Sequence, residues 1–348
     1  WTWKNQEDHG NFLIYWYSPE TSPFKWMKIL AYFPEKLKQY IIWATKAPYY
    51  LLPKLKKYFP KWYMKKILPV PASIDPKMAG FFKVMNKPFE NIFFQLMKKH
   101  DISLSSIPHA TSPNYWKWLH YKKWELTDSQ IDFYFNGDTD GLGHYPWPHS
   151  EPLIKLMNEL DTKIEYLYNK ALKKDKNTKM FIFSDHGMEE IIWSVDVKTV
   201  LESLDLKPVE DYVVFYDSTF VRFWINNKAA EKKIIDALSA IDKITYLDKK
   251  LKDKYKINFK DRKWWDLFFI ADNGYRIFPD NFSPMKFNTK GMHGYFPENN
   301  KNAQWIFLTN TFSSTKKEID VVNLFPTMLD NMWLKDLIPE DTVWKSIS

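Results

Sequence analysis

The chain has 348 residues, of which 45% are apolar and 18% aromatic, which excludes an intrinsically disordered protein and allows a large buried core. The net charge of +8 favours anionic partners such as phosphate esters, nucleic acid or an acidic membrane surface. The absence of cysteine excludes disulfides, a thiolate zinc site and a thiol nucleophile within the chain.

Residues 11–70 are aromatic, basic and interrupted by prolines. Between Phe24 and Leu68 the only acidic residue is Glu35, and apolar residues recur at helical spacing in short runs. This pattern favours a helical cap, residues 24–68, lying over a core. A cap that also touches a membrane surface or a lipid-like substrate is the alternative. A specific nucleic-acid function is disfavoured, because no recognition module accompanies the lysines.

From about residue 90 the predicted elements alternate between helix and strand. In chain order they are a helix over Asn91–Lys99, strands over Ile102–Ile107 and Ile131–Phe135, a helix from Ser150 to about Lys173, and a strand over Met180–Phe183. Such alternation predicts a mainly parallel sheet with helices on both faces. In sheets of this kind ligands bind in the loops beyond the carboxyl ends of the strands.

Residues 205–285 interrupt this alternation. Strands are predicted over Tyr212–Tyr216 and Phe220–Ile225, joined by a turn at Asp217-Ser218, and a helix is predicted over Ala229–Ala240. Asn273-Gly274 lies between two further apolar runs, Leu267–Ile270 and Tyr275–Phe278, and predicts a hairpin. We interpret this block as an α+β insertion.

The main fold resumes with a strand over Trp305–Thr309 and a helix near Asp320–Met332. The predicted division is therefore an N-terminal remnant with the cap (1–90), a core part (91–204), the insertion (205–285) and a second core part (286–348).

Three short segments contain the residues suited to catalysis. They are Asp138-Thr-Asp140-Gly-Leu-Gly143-His144 after one predicted strand, Ser184-Asp185-His186-Gly187-Met188 after the next, and Gly291-Met-His293-Gly294-Tyr295 in a loop. Aspartate and neutral histidine bind zinc and similar divalent ions where cysteine is absent. The glycines are expected to let the backbone turn sharply beside these ligands. The five remaining histidines, which lie outside these segments, are interpreted as structural or surface residues: His9, His100, His109, His120 and His149.

The order Asp-x-x-Gly-His, Ser-Asp-His-Gly-Met and His-Gly-Tyr resembles the type I phosphodiesterase/nucleotide pyrophosphatase family of the alkaline phosphatase superfamily. The resemblance covers roughly residues 90–345. It implies a three-layer α/β/α sandwich with a mainly parallel sheet, to which the sequence adds the cap and the insertion.

The resemblance also implies two divalent metal ions, zinc first and manganese as the alternative. One ion would be bound by Asp140, His144 and His293, and the other by Asp185 and His186. Asp138 is rejected as a ligand, because the spacing of Asp140 and His144 is the one that matches the family.

Two residues of the family pattern, a strand-end Asp and a Ser or Thr nucleophile, are not found in the chain. Both precede Asp-x-x-Gly-His in the family, and the Asp8-His9-Gly10 stretch resembles the segment just after the nucleophile, so both are expected upstream of Trp1. Thr111 and Ser112 are the alternative nucleophiles, disfavoured by their proline-rich context and by chain order. The catalytic nucleophile is therefore unassigned.

The resemblance implies a hydrolase of phosphate esters. The hydroxyl would attack phosphorus, and the metals would stabilise the attacking and leaving oxygens. A phosphoglycerate mutase-like or sulfatase-like member of the superfamily, or an inactive metal-binding fragment, are the alternatives. The expected partner is a small phosphate ester, either a nucleotide or a lipid- or glycan-linked phosphate, and contact with a membrane surface is a further expectation.

Overall fold

The computed structural model describes most of the chain. Described are residues 13, 15–51, 58–71, 73–84, 92–106, 124–283, 289–298, 300–313, 318–338, 340, 342 and 345–347. The α-helices in these residues are α1 (Glu35–Leu51), α2 (Lys61–Lys66), α3 (Pro76–Ala79), α4 (Ile92–Lys99), α5 (Asp138–His144), α6 (Glu151–Lys174), α7 (Val197–Glu202), α8 (Lys228–Ser239), α9 (Lys249–Lys254) and α10 (Leu324–Asn331).

The strands are β1 (Tyr15–Tyr17), β2 (Phe82–Val84), β3 (Leu104–Ser106), β4 (Ile131–Phe133), β5 (Phe181–Phe183), β6 (Glu189–Glu190), β7 (Trp193–Val195), β8 (Tyr212–Tyr216), β9 (Phe220–Ile225), β10 (Ile244–Tyr246), β11 (Leu267–Ala271), β12 (Tyr275–Ile277), β13 (Gly291–Met292) and β14 (Phe307–Thr309). The fold is therefore mixed α/β. None of the helices in the described residues combines the length and hydropathy that crossing a bilayer requires.

The chain divides into two compact units. The first contains the described parts of Lys87–Glu190 and Asn300–Ser348, and the second those of Gly10–Asn86 and Ile191–Asn299. The division of the chain at residues 90, 204 and 285 stays a prediction.

In the first unit, short strands are covered by two helices. β3 pairs in parallel with β4, and β5 pairs antiparallel with β14. Apolar side chains of these strands pack against buried residues of α4 and α10, among them Met97 and Leu329. The sheets of this unit are small: β3 and β4 share three residue pairs, and so do β5 and β14.

Helix α6 supports the part of the first unit that carries the first motif. Ser150 begins the helix as its N-cap, and its Oγ accepts from the Leu153 backbone N–H at 3.4 Å. Leu156, Leu160 and Leu167 form its buried face, and Leu142 of α5 packs against that face. The apolar face of α6, which the spacing of its leucines predicts, is therefore the surface on which α5 packs.

The second unit is built on a four-stranded antiparallel sheet in the order β10-β11-β9-β8. β8 and β9 form the predicted hairpin, and the backbone N–H of Asp217 donates to the Phe220 carbonyl at 2.9 Å to close its turn. α8 begins at the Asn227 N-cap and buries Ala230, Ile234 and Leu238 in the core of this unit.

The described part of the cap is helical and belongs to the second unit. It comprises a 3₁₀ helix over Lys25–Tyr32 followed by α1 and α2. Buried cap residues such as Met27 and Ile42 share one apolar cluster with Phe215 and Trp224 of the sheet. The cap therefore contributes to the core of this unit and does not run free.

The predicted hairpin at Asn273-Gly274 is wrong. The turn exists, with Gly274 at φ +81° and the Tyr275 N–H bonded to the Asp272 carbonyl at 3.0 Å. However, β11 pairs with β9 and β10, whereas β12 pairs in parallel with β7. Both edges of β11 are already occupied within the sheet, so the strand after the turn must pair elsewhere.

Candidate metal centre

The first motif places Asp140 and His144 on one face of α5. The Asn136 side chain stabilises the start of this short helix, because its Oδ1 accepts from the backbone N–H groups of Asp138 and Thr139, both at 3.2 Å. Residues four apart lie on the same helix face, and His144 Nε2 is 3.3 Å from Asp140 Oδ1.

Asp138 does not share that face. Residues two apart on a helix point in nearly opposite directions. Its Oδ2 accepts from the Asn136 side-chain amide at 3.3 Å, within the turn that begins α5. Its observed role is therefore in the start of the helix, and the geometry of α5 favours Asp140 as the ligand.

The second motif follows directly from β5. The Ser184 hydroxyl accepts from the Ile306 backbone N–H at 3.0 Å, next to the pairing of β5 with β14. The Met188 N–H donates to the Asn302 carbonyl at 2.8 Å. Both ends of the motif are thus tied to the chain segment that leads into β14.

His186 is oriented by its own backbone neighbour. Its Nδ1 lies 2.8 Å from the Gly187 carbonyl oxygen, which can only accept, so Nδ1–H donates and Nε2 is the ring nitrogen on the side of the carboxylates. Nε2 lies 3.7 Å from Asp185 Oδ2 and 4.0 Å from Asp140 Oδ1. A backbone-anchored imidazole of this tautomer is typical of histidines that bind metals.

The structure therefore brings four of the five predicted ligands together within the first unit. The Oδ1 atom of Asp140 is shielded from solvent, while the side chains of His144 and His186 are 18% and 29% exposed. Asp185 lies at the outer side, 73% exposed. Carboxylate and imidazole groups from two separate motifs meet at a partly buried point that solvent can still reach.

The glycines of the first two motifs do not serve the sharp turns that the sequence suggested. A Cβ on Gly143 would lie 2.9 Å from the Met188 side chain, and a Cβ on Gly187 would lie 2.0 Å from the Asn302 carbonyl oxygen. Neither has a positive φ. They are needed because the two motifs and the 302–304 backbone approach closely, a contact that sequence spacing does not reveal.

The third motif lies in the second unit, directly after β13. His293 is half-buried, and the following Gly294 has φ +90°, so here the glycine does allow a left-handed turn. Tyr295 is buried, and its hydroxyl donates to the Tyr275 carbonyl at 2.9 Å. Tyr295 therefore anchors the loop that carries His293. This positioning role was missed, although a buried tyrosine usually finds such a partner.

Of the remaining candidates, His100 and His149 are exposed, consistent with surface residues. His9, His109 and His120 lie outside the described residues, as do Thr111 and Ser112.

Residues 102–296 match the family described as type I phosphodiesterase / nucleotide pyrophosphatase. The chain belongs to this family. The match spans more than half of the chain and includes all three motifs. It selects this branch of the superfamily over the mutase-like and sulfatase-like alternatives, and it makes the protein a phosphate-ester hydrolase by family.

Solved structures of the same family share the fold. Human ectonucleotide pyrophosphatase/phosphodiesterase 5 superposes with a TM-score of 0.52 at 18% identity, covering 70% of this chain and 74% of its own. The murine protein of the same name gives 0.55 at 18% identity, with 74% and 72% covered. An inactive variant of the murine protein, in which threonine is replaced by alanine, matches equally well and is in complex with AMP. No curated protein sequence matches the chain.

Proposed function

We propose that this protein binds nucleotide-like phosphate esters through a pair of divalent metal ions and functions in their hydrolysis. The observation that carries the proposal is the meeting of His144 and His186, from two separate motifs, at the carboxylate of Asp140. The family match supports the reaction class. The AMP bound to the murine neighbour supports a nucleotide over a lipid- or glycan-linked phosphate.

The donor set fits such ions. Ligand atoms about 2.0–2.1 Å from a tetrahedral zinc ion are roughly 3.3 Å apart, and Asp140 Oδ1 and His144 Nε2 are separated by 3.3 Å. The hydrogen bond from His186 Nδ1 to a carbonyl also suits a ligand, since it leaves Nε2 as the ring nitrogen through which imidazole would bind a metal. Zinc is our first assignment, and manganese is the alternative.

In our assignment Asp140, His144 and His293 bind one ion, while Asp185 and His186 bind the other. Bound ions would polarise the phosphoryl group and lower the pKa of an attacking hydroxyl. The protein's own residues fix the geometry, because Gly187 holds the His186 ring and Tyr295 holds the His293 loop. We further propose that the motifs lie at the edge of the three-layer sandwich that the resemblance implies.

We propose that the attacking hydroxyl is not supplied by this chain. The family pattern places the nucleophile before the first motif, whereas Ser184 follows it in the chain and its hydroxyl accepts from the Ile306 N–H beside β14. Thr111 and Ser112 remain the alternatives. Without a nucleophile of its own, the chain should show phosphodiester hydrolysis at least ~10³-fold below that of a family member whose sequence contains one. Hydrolysis at a comparable rate that disappears in Thr111→Ala or Ser112→Ala would assign the nucleophile to this chain.

Metal and nucleotide binding test the site without relying on turnover. We expect dialysed protein to retain at least one zinc or manganese ion per chain by elemental analysis, and to bind AMP only when loaded. Replacing both His144 and His293 by alanine should remove that ion and weaken AMP binding at least ~10-fold.

The matched control replaces His100 and His149, which are both exposed, by alanine and should change neither measurement. Asp138→Asn should also retain the metal. Metal content that is the same in the His144/His293 double variant as in the unaltered protein would refute the assignment.

A further inference from the structure

The cap carries a charge surplus greater than that of the whole chain. Between Phe24 and Leu68 there are eleven lysines and one acidic residue, Glu35, whereas the chain as a whole carries only +8. In the described part, Lys28, Lys61 and Lys65 are among the exposed lysines. The described part of the cap therefore presents several lysines, and none of the chain's other acidic residues, to solvent between Phe24 and Leu68.

Helix α1 is apolar on the face turned away from its core. It buries Ile42 and Tyr49, yet Tyr40, Trp43 and Leu51 are 63%, 58% and 68% exposed. On a helical wheel these three lie opposite the buried pair, where a surface helix normally carries polar residues. Packing within the fold therefore does not explain why this exposed face is apolar.

Helix α2 packs against α1 and also exposes apolar side chains. The Tyr63 hydroxyl donates to the Thr45 carbonyl at 2.6 Å and joins the two helices. On α2, Lys61 and Lys65 lie opposite the buried Tyr63, and the exposed Trp62 and Met64 flank them on either side. Exposed aromatic, aliphatic and lysine side chains are therefore present on both helices. We call the exposed side chains of residues 25–34, 37–49, 51 and 58–66 the cap surface.

We propose that the cap surface docks on an anionic lipid bilayer. Tryptophan and tyrosine favour the boundary between head groups and acyl chains, and lysines near them are attracted to acidic lipids. Ile29 and Leu51, 67% and 68% exposed, suit an acyl boundary and offer no ring for stacking on nucleic-acid bases. A second copy of the chain would bring a like charge against the same surface, which opposes self-association there.

Co-sedimentation of the full chain with vesicles tests the proposal. We expect binding to phosphatidylcholine vesicles that contain about 30% phosphatidylserine and none to pure phosphatidylcholine, with binding lost as NaCl rises from about 0.05 to 0.5 M. Combining Lys61→Glu, Lys65→Glu and Lys66→Glu should weaken binding at least ~100-fold. Trp43→Ala with Trp62→Ala should weaken it ~10-fold or more.

Matched variants separate the cap surface from general effects of charge and apolar area. Lys155→Glu, Lys173→Glu and Lys249→Glu change the net charge equally at exposed positions outside the cap, and should retain at least half of the binding. Trp193→Ala with Trp333→Ala removes two exposed tryptophans elsewhere and should also retain it. Circular dichroism must show that each variant is folded.

Three results would overturn the proposal. The first is equal binding to neutral and acidic vesicles. The second is binding to a single-stranded oligonucleotide but not to vesicles, and the third is a dimer that the Trp43/Trp62 variant converts to monomer without any vesicle binding.

Discussion

At the scale of single residues, the geometry of the candidate site depends on close approach of the backbone as much as on the predicted ligand residues. Asp140, His144, Asp185 and His186 can be recognised from their spacing and residue type. Their mutual distances, however, depend on Gly143 and Gly187, which allow the two motifs and the 302–304 backbone to pack without a side chain between them. The tautomer of His186 depends likewise on one carbonyl oxygen.

Gly187→Ala should therefore disturb both fold and metal site. A Cβ there would lie 2.0 Å from one backbone oxygen and 2.7 Å from another, and neither can rotate away. We expect a loss of about 2–4 kcal/mol in the free energy of unfolding, measured by urea titration, together with weaker metal retention.

Gly80→Ala is the matched control. There a Cβ would lie 3.5 Å from the flexible end of Lys28, in ordinary van der Waals contact, so stability should change by less than about 1 kcal/mol. Equal stability of the two variants would show that the close approach at Gly187 is not rigid.

At the scale of elements, the cap is joined to the sheet of the second unit by its buried face. On the 3₁₀ helix over Lys25–Tyr32, Met27 is fully buried and Ile29 is 67% exposed. The same short helix thus contributes one side chain to the core and another to the cap surface. Docking on a bilayer would then require no unfolding of the cap.

Met27→Ala should loosen the cap. Truncating a fully buried methionine costs about 2–5 kcal/mol, and limited proteolysis should then cut within residues 24–68 faster than in the unaltered protein. Ile29→Ala, two residues away on the exposed side, should leave both stability and proteolysis unchanged. Rapid cleavage of this region in the unaltered protein would contradict a docked cap.

At the scale of the whole molecule, the second unit buries ionised groups inside an aromatic core. Arg222 is 1% exposed and donates through Nη1 to the Tyr15 carbonyl at 2.9 Å, and Arg276 pairs with the buried Asp280 at 2.8 Å. Burial raises the pKa of Asp217, in the β8–β9 turn, to about 6, although the guanidinium of Arg222 opposes the shift. The stability of the molecule should therefore depend on pH in a defined direction.

Ionisation of Asp217 should lower the free energy of unfolding as pH rises. Its pKa is 3.8 in the unfolded chain and about 6 when folded, so between these values the folded state binds more protons. The favourable contribution is complete below pH 3.8 and is lost as pH rises through about 6, amounting to about 2–3 kcal/mol.

Asp217→Asn should remove this dependence. Urea titrations between pH 4 and pH 7 should show the variant gaining stability relative to the unaltered protein as pH rises from 4 to about 6, with little further gain above that. The control Asp205→Asn, at an exposed position, should show a constant difference. A constant difference for Asp217→Asn as well would contradict the assigned pKa.

The sequence alone determined several local elements and the family. Periodicity predicted α6 and the β8–β9 hairpin, since both depend on contacts between residues near in the chain. The three motifs determined the family, because aspartate, histidine and glycine at those spacings suit few other sites, and the family match confirmed it.

Only the tertiary structure decided which elements meet. The turn at Asn273-Gly274 looks like a hairpin in sequence, but pairing of β11 with β9 and β10 sends β12 to β7. The same holds for Gly187 beside Asn302 and for the cap residues inside the second unit's core. These contacts join segments far apart in the chain, and their energies depend on shape and competing partners that no local pattern encodes.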